Sequence, residues 1–379
     1  MYTSRMTTWI TVLVAYALSL ATSAFAGTQG STLFPKPGSP SKLYTLKQDI
    51  SGPGFYAFFK FEAIEDPTHG RVQYVDEPTA IRENLTFATP DTFILRADHK
   101  TVLTPTSPGR KSVRIISRDE FKTHIAIFDV RHMPEGCATW PAIWELYPTN
   151  WPSGGEIDII EGVNNQAANQ ATIHTTSGCS MPPSSNPASN RTQLGSDTQN
   201  KCDWEVNYNA GCGVSFPKSG PPTFGPAFNK AGGGWFVLER TPTVMKIWFW
   251  SRNDPTVPAE VKSKYSAVVN PSTYGIPYAY FPNTQCEFNK YFKENNLVIN
   301  LTLCGDWAGG DDVWKQTGCP APSCNAFVET NPAAFADAFF DFANIRIYEQ
   351  PFDLGIYPKR HVEGRRKALS HNLGVKEIH

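Results

Sequence analysis

The chain predicts an all-β fold built from two packed antiparallel sheets. Short segments rich in Val, Ile, Phe, Tyr and Thr recur along it, and each is bounded by Gly, Pro, Asn or Asp. No segment carries a sustained helical period with capping residues. Aromatic residues make up 13% of the 379 residues and charged residues only 18%, which argues against a coiled coil or a disordered protein. Many short strands without intervening helices indicate a β-sandwich.

Several segments are predicted to be strands. One pair, 235–240 and 244–250, flanks Thr-Pro-Thr and is a predicted hairpin. The other predicted strands are residues 55–64, 71–75, 92–97, 112–117, 124–130, 156–163, 171–175, 297–303 and 339–348. The stretches 180–196, 215–234 and 255–296 are rich in Pro, Gly, Asn or Ser and are predicted loops. Two of them carry or flank cysteines, so we expect pinned surface loops of the kind that shape a binding site.

Residues 1–26 are predicted to be a secretory signal peptide. Arg5 precedes an apolar run over 9–20, and the small residues Ala24 and Ala26 fit a signal-peptidase site. A membrane anchor is the alternative, but the run is shorter than the ~20 apolar residues that span a bilayer. We therefore expect an extracellular, secreted protein, with cell-wall association left open.

No break in composition divides the rest of the chain, so residues 27–357 are predicted to form one domain. Residues 358–379 are basic and poor in apolar side chains. They are interpreted as a solvated, disordered tail, with a basic recognition segment as the alternative. The formal net charge is −1, so we expect no nucleic-acid partner and no stable membrane insertion. We expect a monomer.

All eight cysteines follow the predicted signal peptide. An even number in a secreted chain indicates up to four disulfides, whose pairing the sequence does not give. Zinc is the competing interpretation, but there is no CxxC pair and the histidines are scattered, so no metal or other cofactor is predicted. Glycosylation sequons occur at Asn84, Asn190 and Asn300 and fit an extracellular protein.

The most informative segment alternates three acids with isoleucines. In a regular strand Glu156 and Asp158 share one face, whereas Glu161 falls on the other. One extra residue near Ile159, a β-bulge, would return Glu161 to the face of the other two acids. Two carboxyl groups about 5–5.5 Å apart are what a retaining glycosidase needs as nucleophile and acid/base.

Other interpretations of the acid segment are a plain acidic edge strand and a calcium site. Calcium sites usually draw ligands from loops and backbone carbonyls as well. Three like charges on one strand face repel one another, so stability alone does not favour the arrangement. Catalysis therefore explains Glu156, Asp158 and Glu161 better.

Aromatic and basic residues near the acids are candidate sugar contacts. Pyranose rings present flat C–H faces that pack on indole rings, and Trp140, Trp144 and Trp151 lie just before the acids. Trp140 is also a candidate core residue. His174 is expected beside Glu161, where it would tune the acid or bind sugar. Two further candidates are Trp307 and Arg114. Trp307 is expected to be exposed in a Gly-rich loop, and Arg114 is either a cleft residue or a surface residue.

Four stretches resemble glycoside hydrolase family 16 and, within it, the secreted fungal laminarinase-like endo-1,3(4)-β-glucanases. They read GCATWPAIWELYP, GGEIDIIEGVN, TIHTTSGC and NNLVINLTLCGDWAG. The last predicted strand, FDFANIRIYEQ, is similar to the closing strand of that family. The resemblance runs from about residue 40 to 357. The ExDxxE form resembles the laminarinase branch, because the lichenase and xyloglucan-transferase branches generally carry ExDxE.

The resemblance implies a β-jelly-roll sandwich with a concave substrate cleft over a catalytic domain of residues 27–357. It implies that Glu156 is the nucleophile, Asp158 its assistant and Glu161 the general acid/base. It also implies that Trp144, Trp151, His174 and Trp307 lie near the glucan subsites, and that the partner is a β-glucan polysaccharide or oligosaccharide. The expected activity is endo-hydrolysis of β-1,3 or mixed β-1,3/1,4 bonds. Transglycosylation at the same site and non-catalytic glucan binding are the alternatives.

Overall fold

The computed structural model describes residues 43–350. The predicted signal peptide (1–26) and basic tail (358–379) lie outside the described residues, as do the two ends of the predicted domain. Within the described part, no helix is both long and apolar enough to cross a membrane.

Nineteen strands make up most of the regular structure of residues 43–350. They are β1 (Tyr44–Ile50), β2 (Phe59–Phe61), β3 (Val72–Tyr74), β4 (Thr86–Thr89), β5 (Thr92–Arg96), β6 (Arg110–Ser112), β7 (Arg114–Phe121), β8 (His124–His132), β9 (Thr139–Leu146), β10 (Glu156–Glu161), β11 (Gln170–His174), β12 (Ser196–Asp197), β13 (Cys212–Ser215), β14 (Gly234–Arg240), β15 (Val244–Ser251), β16 (Val268–Val269), β17 (Ala279–Pro282), β18 (Asn295–Leu303) and β19 (Phe339–Glu349).

The helices of the described residues are all short. They are α1 (Gly54–Phe58), α2 (Glu77–Arg82), α3 (Gly225–Lys230), α4 (Ala259–Lys262), α5 (Phe288–Tyr291), α6 (Gly305–Ala308), α7 (Asp311–Gln316) and α8 (Cys324–Thr330). Single 3-10 turns lie at Pro187–Ser189, Pro271–Thr273, Asn283–Gln285 and Pro332–Phe335. None exceeds seven residues, as expected from a sequence without sustained helical periodicity.

Two large antiparallel sheets confirm the predicted all-β sandwich. The outer sheet has the order β16-β1-β19-β8-β14-β15-β17, with β5 added on β19 and β4 on β5. The cleft sheet has the order β12-β13-β11-β10-β9-β18-β7-β2. Among the strand pairs named above for residues 43–350, only the small β3–β6 pair is parallel. Apolar side chains from the facing sides of the two large sheets, Ile157 and Phe128 among them, form one buried core.

A second apolar cluster lies on the other face of the outer sheet. Trp248 and Trp250 of β15 are buried there against Val261 of α4, Val269 of β16 and Tyr274. The predicted loop 255–296 is therefore more ordered than expected, since it contains α4, β16, β17 and α5. Trp248 and Trp250 point away from the core between the sheets, so this face of β15 requires a cover, and the segment supplies it.

The predicted strand 55–64 is wrong over its first half. Residues Gly54–Phe58 form α1, and only Phe59–Phe61 form a strand. Phe55 and Phe59 are both completely buried, and four-residue spacing places side chains on one face of a helical turn. The spacing of Phe55 and Phe59 is therefore that of a helical turn, but the high β propensity of the aromatic residues predicted a strand instead.

Strand β9 was not among the predicted strands, and it contains Pro141. A proline normally excludes a segment from the middle of a sheet. Here Pro141 lies opposite Leu301 of β18, one residue past Ala142, where the pairing of β9 with β10 ends. The N–H of Leu301 points away from β9 and donates to Val113. The pair is thus of the non-hydrogen-bonded type, and the missing donor of Pro141 costs no ladder bond.

Four disulfides use all eight cysteines, as the even number indicated. The pairs are Cys137–Cys319, Cys179–Cys286, Cys202–Cys212 and Cys304–Cys324. The Cys179–Cys286 bond ties the start of the loop 180–196 to the segment 255–296, which confirms that cysteines pin these surface segments.

Candidate active site

Strand β10 contains the predicted bulge. Asp158 lies opposite Trp144 of β9, but Ile160 rather than Ile159 lies opposite the next residue, Ile143. Ile159 and Ile160 are both buried in the core. The extra residue restores alternation beyond the bulge, and Glu156, Asp158 and Glu161 all line one cleft.

The side chain of Asn169 braces the bulge. Its Nδ2 donates to the carbonyl of Ile159 over 2.9 Å, and its Oδ1 accepts from the N–H of Glu161 over 3.0 Å. Asn169 is completely buried. The amide thus replaces ladder bonds that the bulge interrupts, as buried backbone groups require.

The cleft has a volume of about 920 Å³ and lies on the open face of the cleft sheet. All nine residues predicted as catalytic or sugar-binding line it: Arg114, Trp140, Trp144, Trp151, Glu156, Asp158, Glu161, His174 and Trp307. A volume of this size is in the range of small-molecule sites.

Three tryptophans of the cleft each donate an indole N–H to a specific oxygen. Trp151 donates to Oε2 of Glu156. Trp140 donates to Oε1 of Glu161 over 3.0 Å, and Trp144 donates to Oδ1 of Asn300 over 2.7 Å. All three rings are half-buried, and Trp140 lines the cleft rather than belonging to one of the apolar clusters of the described residues.

Both glutamates hold protons more tightly than usual. Burial, followed by the charge of Asp158, raises the pKa of Glu161 to about 8. The same two causes raise the pKa of Glu156 to about 8 as well, against the opposing effects of His174, the Trp151 N–H and Arg114. Because the two carboxyls interact, they titrate as a pair. Arg114 acts to lower the pKa of Glu156, and the charge of Glu156 acts to raise the pKa of Glu161, so the shared proton is favoured on Glu161.

His174 lies beside the acids but not where it was expected. The register of β10 with β11 places it opposite Glu156, whereas Glu161 lies opposite Gln170. The prediction that His174 adjoins Glu161 was wrong, because the antiparallel register that sets Glu156 opposite His174 carries Glu161 toward the other end of β11. The charge of His174 still acts to lower the pKa of Glu161. The Nε2 of His174 lies 3.4 Å from Oδ2 of Asp158. Burial alone lowers the pKa of His174, but Asp158, Glu156 and Glu161 outweigh it and raise the pKa to about 9.

Arg114 is a buried cleft residue rather than a surface one. Its Nε donates to Oε2 of Glu62 over 2.7 Å, and its guanidinium lies 5.0 Å from the centre of the Trp144 ring. This stacking holds the ring of Trp144 from one side, while Asn300 holds its N–H.

Trp307 differs from its predicted setting. It lies on α6 rather than in a Gly-rich loop, and it is half-buried. Its ring meets Trp140 edge-on, with the centroids 5.7 Å apart.

Sequence reasoning missed several cleft residues. Trp204, Tyr208 and Asn209 line the cleft from the segment between Cys202 and Cys212. Two cysteines enclosing an aromatic-rich stretch were the available signal. Asn300 was considered only as a glycosylation sequon, but its side chain is buried at Trp144 and Tyr74. Such a side chain is not available to a glycan in the folded protein, whereas Asn84 and Asn190 are exposed.

Glu156, Asp158 and His174 also form a group whose ligand atoms lie within 4.8 Å of one another. These residues belong to the acid cluster already described. Two carboxyl groups suffice for glycoside hydrolysis without a metal ion.

The family model for XgeA-like catalytic GH16 domains matches residues 59–348. The chain belongs to glycoside hydrolase family 16. It is 39% identical over 315 residues to a probable glycosidase of Schizosaccharomyces pombe, covering 83% of this chain and 71% of that protein. It is 35% identical over 347 residues to a probable endo-1,3(4)-β-glucanase of Aspergillus flavus, covering 87% of this chain but only 49% of that protein. The chain thus spans about half the length of that relative.

Solved structures of family 16 share the fold. Laminarinase 16A of Phanerochaete chrysosporium, with two β-glucans in its donor and acceptor sites, is 49% identical with a TM-score of 0.77. That comparison covers 81% of this chain and all of the other. An elongating family 16 β-1,3-glucosyltransferase is 36% identical with a TM-score of 0.71, covering 80% of this chain and 99% of the other. The glycoside hydrolase jelly roll expected from the sequence is therefore confirmed.

Proposed function

We propose that this protein is a secreted, retaining endo-β-glucanase that hydrolyses internal β-1,3 or mixed β-1,3/1,4 glucosidic bonds. One observation carries the proposal: Glu156 and Glu161 face one glucan-sized cleft on either side of Asp158, each with an indole donor and a raised pKa. The named activities of the fungal relatives and the glucans bound to laminarinase 16A support the substrate class. Four disulfides support an oxidising, extracellular compartment.

The first half of the reaction makes a covalent intermediate. Glu161 gives its proton to the glucosidic oxygen as that bond breaks, and the carboxylate of Glu156 attacks the anomeric carbon from the opposite face. A raised pKa keeps Glu161 protonated near neutral pH. The Trp151 N–H and the positive charges of His174 and Arg114 favour the ionised form of Glu156.

The second half returns the enzyme to its starting state. Glu161, now a carboxylate, takes a proton from a water molecule, which attacks the anomeric carbon and releases Glu156. Two inversions leave the β configuration intact. Asp158 assists Glu156 by keeping the positively charged His174 ring beside it, with Nε2 of His174 3.4 Å from Oδ2 of Asp158.

Azide rescue tests the assignment of both glutamates. With a dinitrophenyl β-laminari-oligosaccharide, Glu156→Gly plus azide should give an α-glucosyl azide, because azide enters the vacated nucleophile face. Glu161→Gly plus azide should give the β-azide, because azide attacks the covalent intermediate. Exchange of the two products would reverse the roles, and full hydrolysis of laminarin by Glu156→Gln or Glu161→Gln would refute them.

Transglycosylation is the second candidate, favoured by the 36% identity to an elongating β-1,3-glucosyltransferase. The same intermediate can pass to a sugar hydroxyl instead of water. Product analysis at high laminari-oligosaccharide concentration distinguishes the two, since transfer gives chains longer than the substrate. Parallel assays on laminarin, lichenan, carboxymethyl-cellulose and xyloglucan give the linkage preference.

A further inference from the structure

We propose that residues 203–211, the segment closed by the Cys202–Cys212 disulfide, position the acid cluster, with Asn209 fixing the orientation of His174. The disulfide joins cysteines only ten residues apart. The proposal rests on the proposed function for its effect on catalysis. It assigns to this segment, called here the disulfide loop, a role that acts through residues contacting the catalytic acids.

Asn209 hydrogen-bonds the side of the His174 ring that faces away from Asp158. Its Oδ1 lies 2.8 Å from Nδ1 of His174, while Nε2 of the same ring lies 3.4 Å from Oδ2 of Asp158. Two N–H groups that both face oxygens are the pattern of an imidazolium. The hydrogen bond to Asn209 fixes the ring with Nε2 directed toward Asp158, so Asn209 keeps a positive charge beside the acids.

The backbone of the disulfide loop is built for this contact. Asn207, Tyr208 and Asn209 have φ values of 53°, 56° and 60°, a left-handed conformation that is costly for tyrosine. Such a conformation persists only where the surroundings enforce it. Gly211 lies so close that an added Cβ would approach Cε1 of His174 to 2.8 Å.

The first part of the disulfide loop acts on Glu156 through Trp151. Trp204 meets Trp151 edge-on, with ring centroids 5.4 Å apart, and Trp151 donates its N–H to Glu156. The loop therefore contacts one partner of Asp158 and one partner of Glu156. Its first end is fastened to Thr175, just after β11, because the Thr175 N–H donates to Cys202 and the Trp204 N–H donates to Thr175. Its last end is fastened to β11 itself, where Cys212 lies opposite Ile173.

The charges near His174 predict what loss of Asn209 would do. Glu156, Asp158 and Glu161 face the ring from β10, and Arg114 acts on the same cluster from β7. The loop itself carries Asp203 and Glu205, whereas β13 contributes no titrating group. Without an acceptor for Nδ1–H the imidazolium is less favoured, so Glu156 loses a stabilising cation and ionises at higher pH.

The experiment compares Asn209→Gly with Asn207→Gly. Glycine tolerates the left-handed conformation, so both variants relieve backbone strain alike, and only the first removes the contact to His174. Asn207 is an exposed residue of the same loop that does not line the cleft. Asn209→Asp keeps an acceptor oxygen and is the rescue variant. A Cys202→Ser/Cys212→Ser double variant opens the loop.

The first measurement is the NMR titration of the His174 ring, assigned by its absence in His174→Gln. The pKa of His174 should fall in Asn209→Gly, remain at the wild-type value in Asn207→Gly and not fall in Asn209→Asp. This readout does not depend on activity, so it remains informative if the wild type releases no reducing ends from laminarin and the proposed function fails.

The second measurement is the pH dependence of kcat on laminarin. Asn209→Gly and the double serine variant should lose about tenfold in kcat, as expected for an orienting partner behind a functional side chain, with a smaller change in KM. The acidic limb of the profile should move to higher pH. Equal behaviour of Asn209→Gly and Asn207→Gly in the NMR titration, or in the pH profile of an active wild-type background, would overturn the proposal.

Discussion

The cleft tryptophans act on the carboxyl groups as well as offering flat surfaces for sugar. The indole N–H of Trp140 reaches Glu161, whereas that of Trp144 reaches the neutral Asn300. A donor to a carboxylate favours its ionised form and lowers its pKa. The two rings therefore have similar shapes but different electrostatic effects, which makes them a matched pair for mutation.

Trp140→Phe should move the basic limb of the kcat profile to higher pH. Glu161 must be protonated to act as the acid, and loss of the donor raises its pKa. We expect a shift of about one pH unit, since a hydrogen bond to a charged group is worth ~1.5–3 kcal/mol and one unit is ~1.4 kcal/mol. Trp144→Phe should reduce kcat/KM without moving that limb. A basic limb that stays in place in Trp140→Phe would contradict this role of the indole.

The sequence predicted those site residues that are brought together by their spacing within one segment. Glu156, Asp158 and Glu161 were found because side-chain alternation and one bulge decide their faces. Asn209 and Asn300 contact the site through pairings between segments 35 and 156 residues apart. No local pattern encodes such distances, so both residues were missed.

At the level of the strand, the bulge of β10 depends on a side chain from outside it. Asn169 satisfies both the Ile159 carbonyl and the Glu161 N–H. The sequence predicted the bulge from the position of the acids but not its brace, because Asn169 follows in a segment without strand or helix signals.

Asn169→Ala should destabilise the fold and misplace Glu161. Two buried backbone groups lose their partner, at a cost of ~1–3 kcal/mol each, and the melting temperature should fall by several degrees. Asn164→Ala is the matched control, since Asn164 is also buried and also bridges two backbone groups, Ala138 N–H and Ala308 C=O. Measured well below the melting temperature, kcat should fall only in Asn169→Ala. Equal kcat values in the two variants would show that the brace serves stability alone.

Across the whole molecule, composition and strand spacing predicted the sandwich, but not what joins its two sheets. Glu145 of β9 accepts from Arg240 of β14 over 2.8 Å and lies 2.8 Å from Nε2 of His124 of β8. All three side chains are buried. Glu145 occurs in the sequence beside Trp144 in a segment not recognised as a strand, so its inward direction could not be inferred.

This buried ion cluster should make the stability of the fold depend on pH through Glu145. Burial alone raises the pKa of Glu145, but His124 and Arg240 outweigh it and hold the pKa below the usual value. The stabilisation is then complete above the unfolded-state pKa of ~4.3 and is lost as the pH falls through the lower folded-state value. Glu145→Gln leaves Arg240 without its buried counter-charge, which costs ~3–5 kcal/mol at pH 7.

Thermal unfolding at pH 7 and near pH 3 tests the cluster. The melting temperature of Glu145→Gln should lie well below that of the wild type at pH 7, and the difference between the two melting temperatures should become smaller near pH 3. Glu83→Gln is the control, because Glu83 pairs with Lys111 at a position where both side chains are about one-third exposed, and such pairs contribute ~0–1 kcal/mol. Two outcomes would mean that apolar packing alone joins the sheets behind the cleft. One is a Glu145→Gln variant as stable as the wild type at pH 7, and the other is a variant that loses as much stability on acidification as the wild type does.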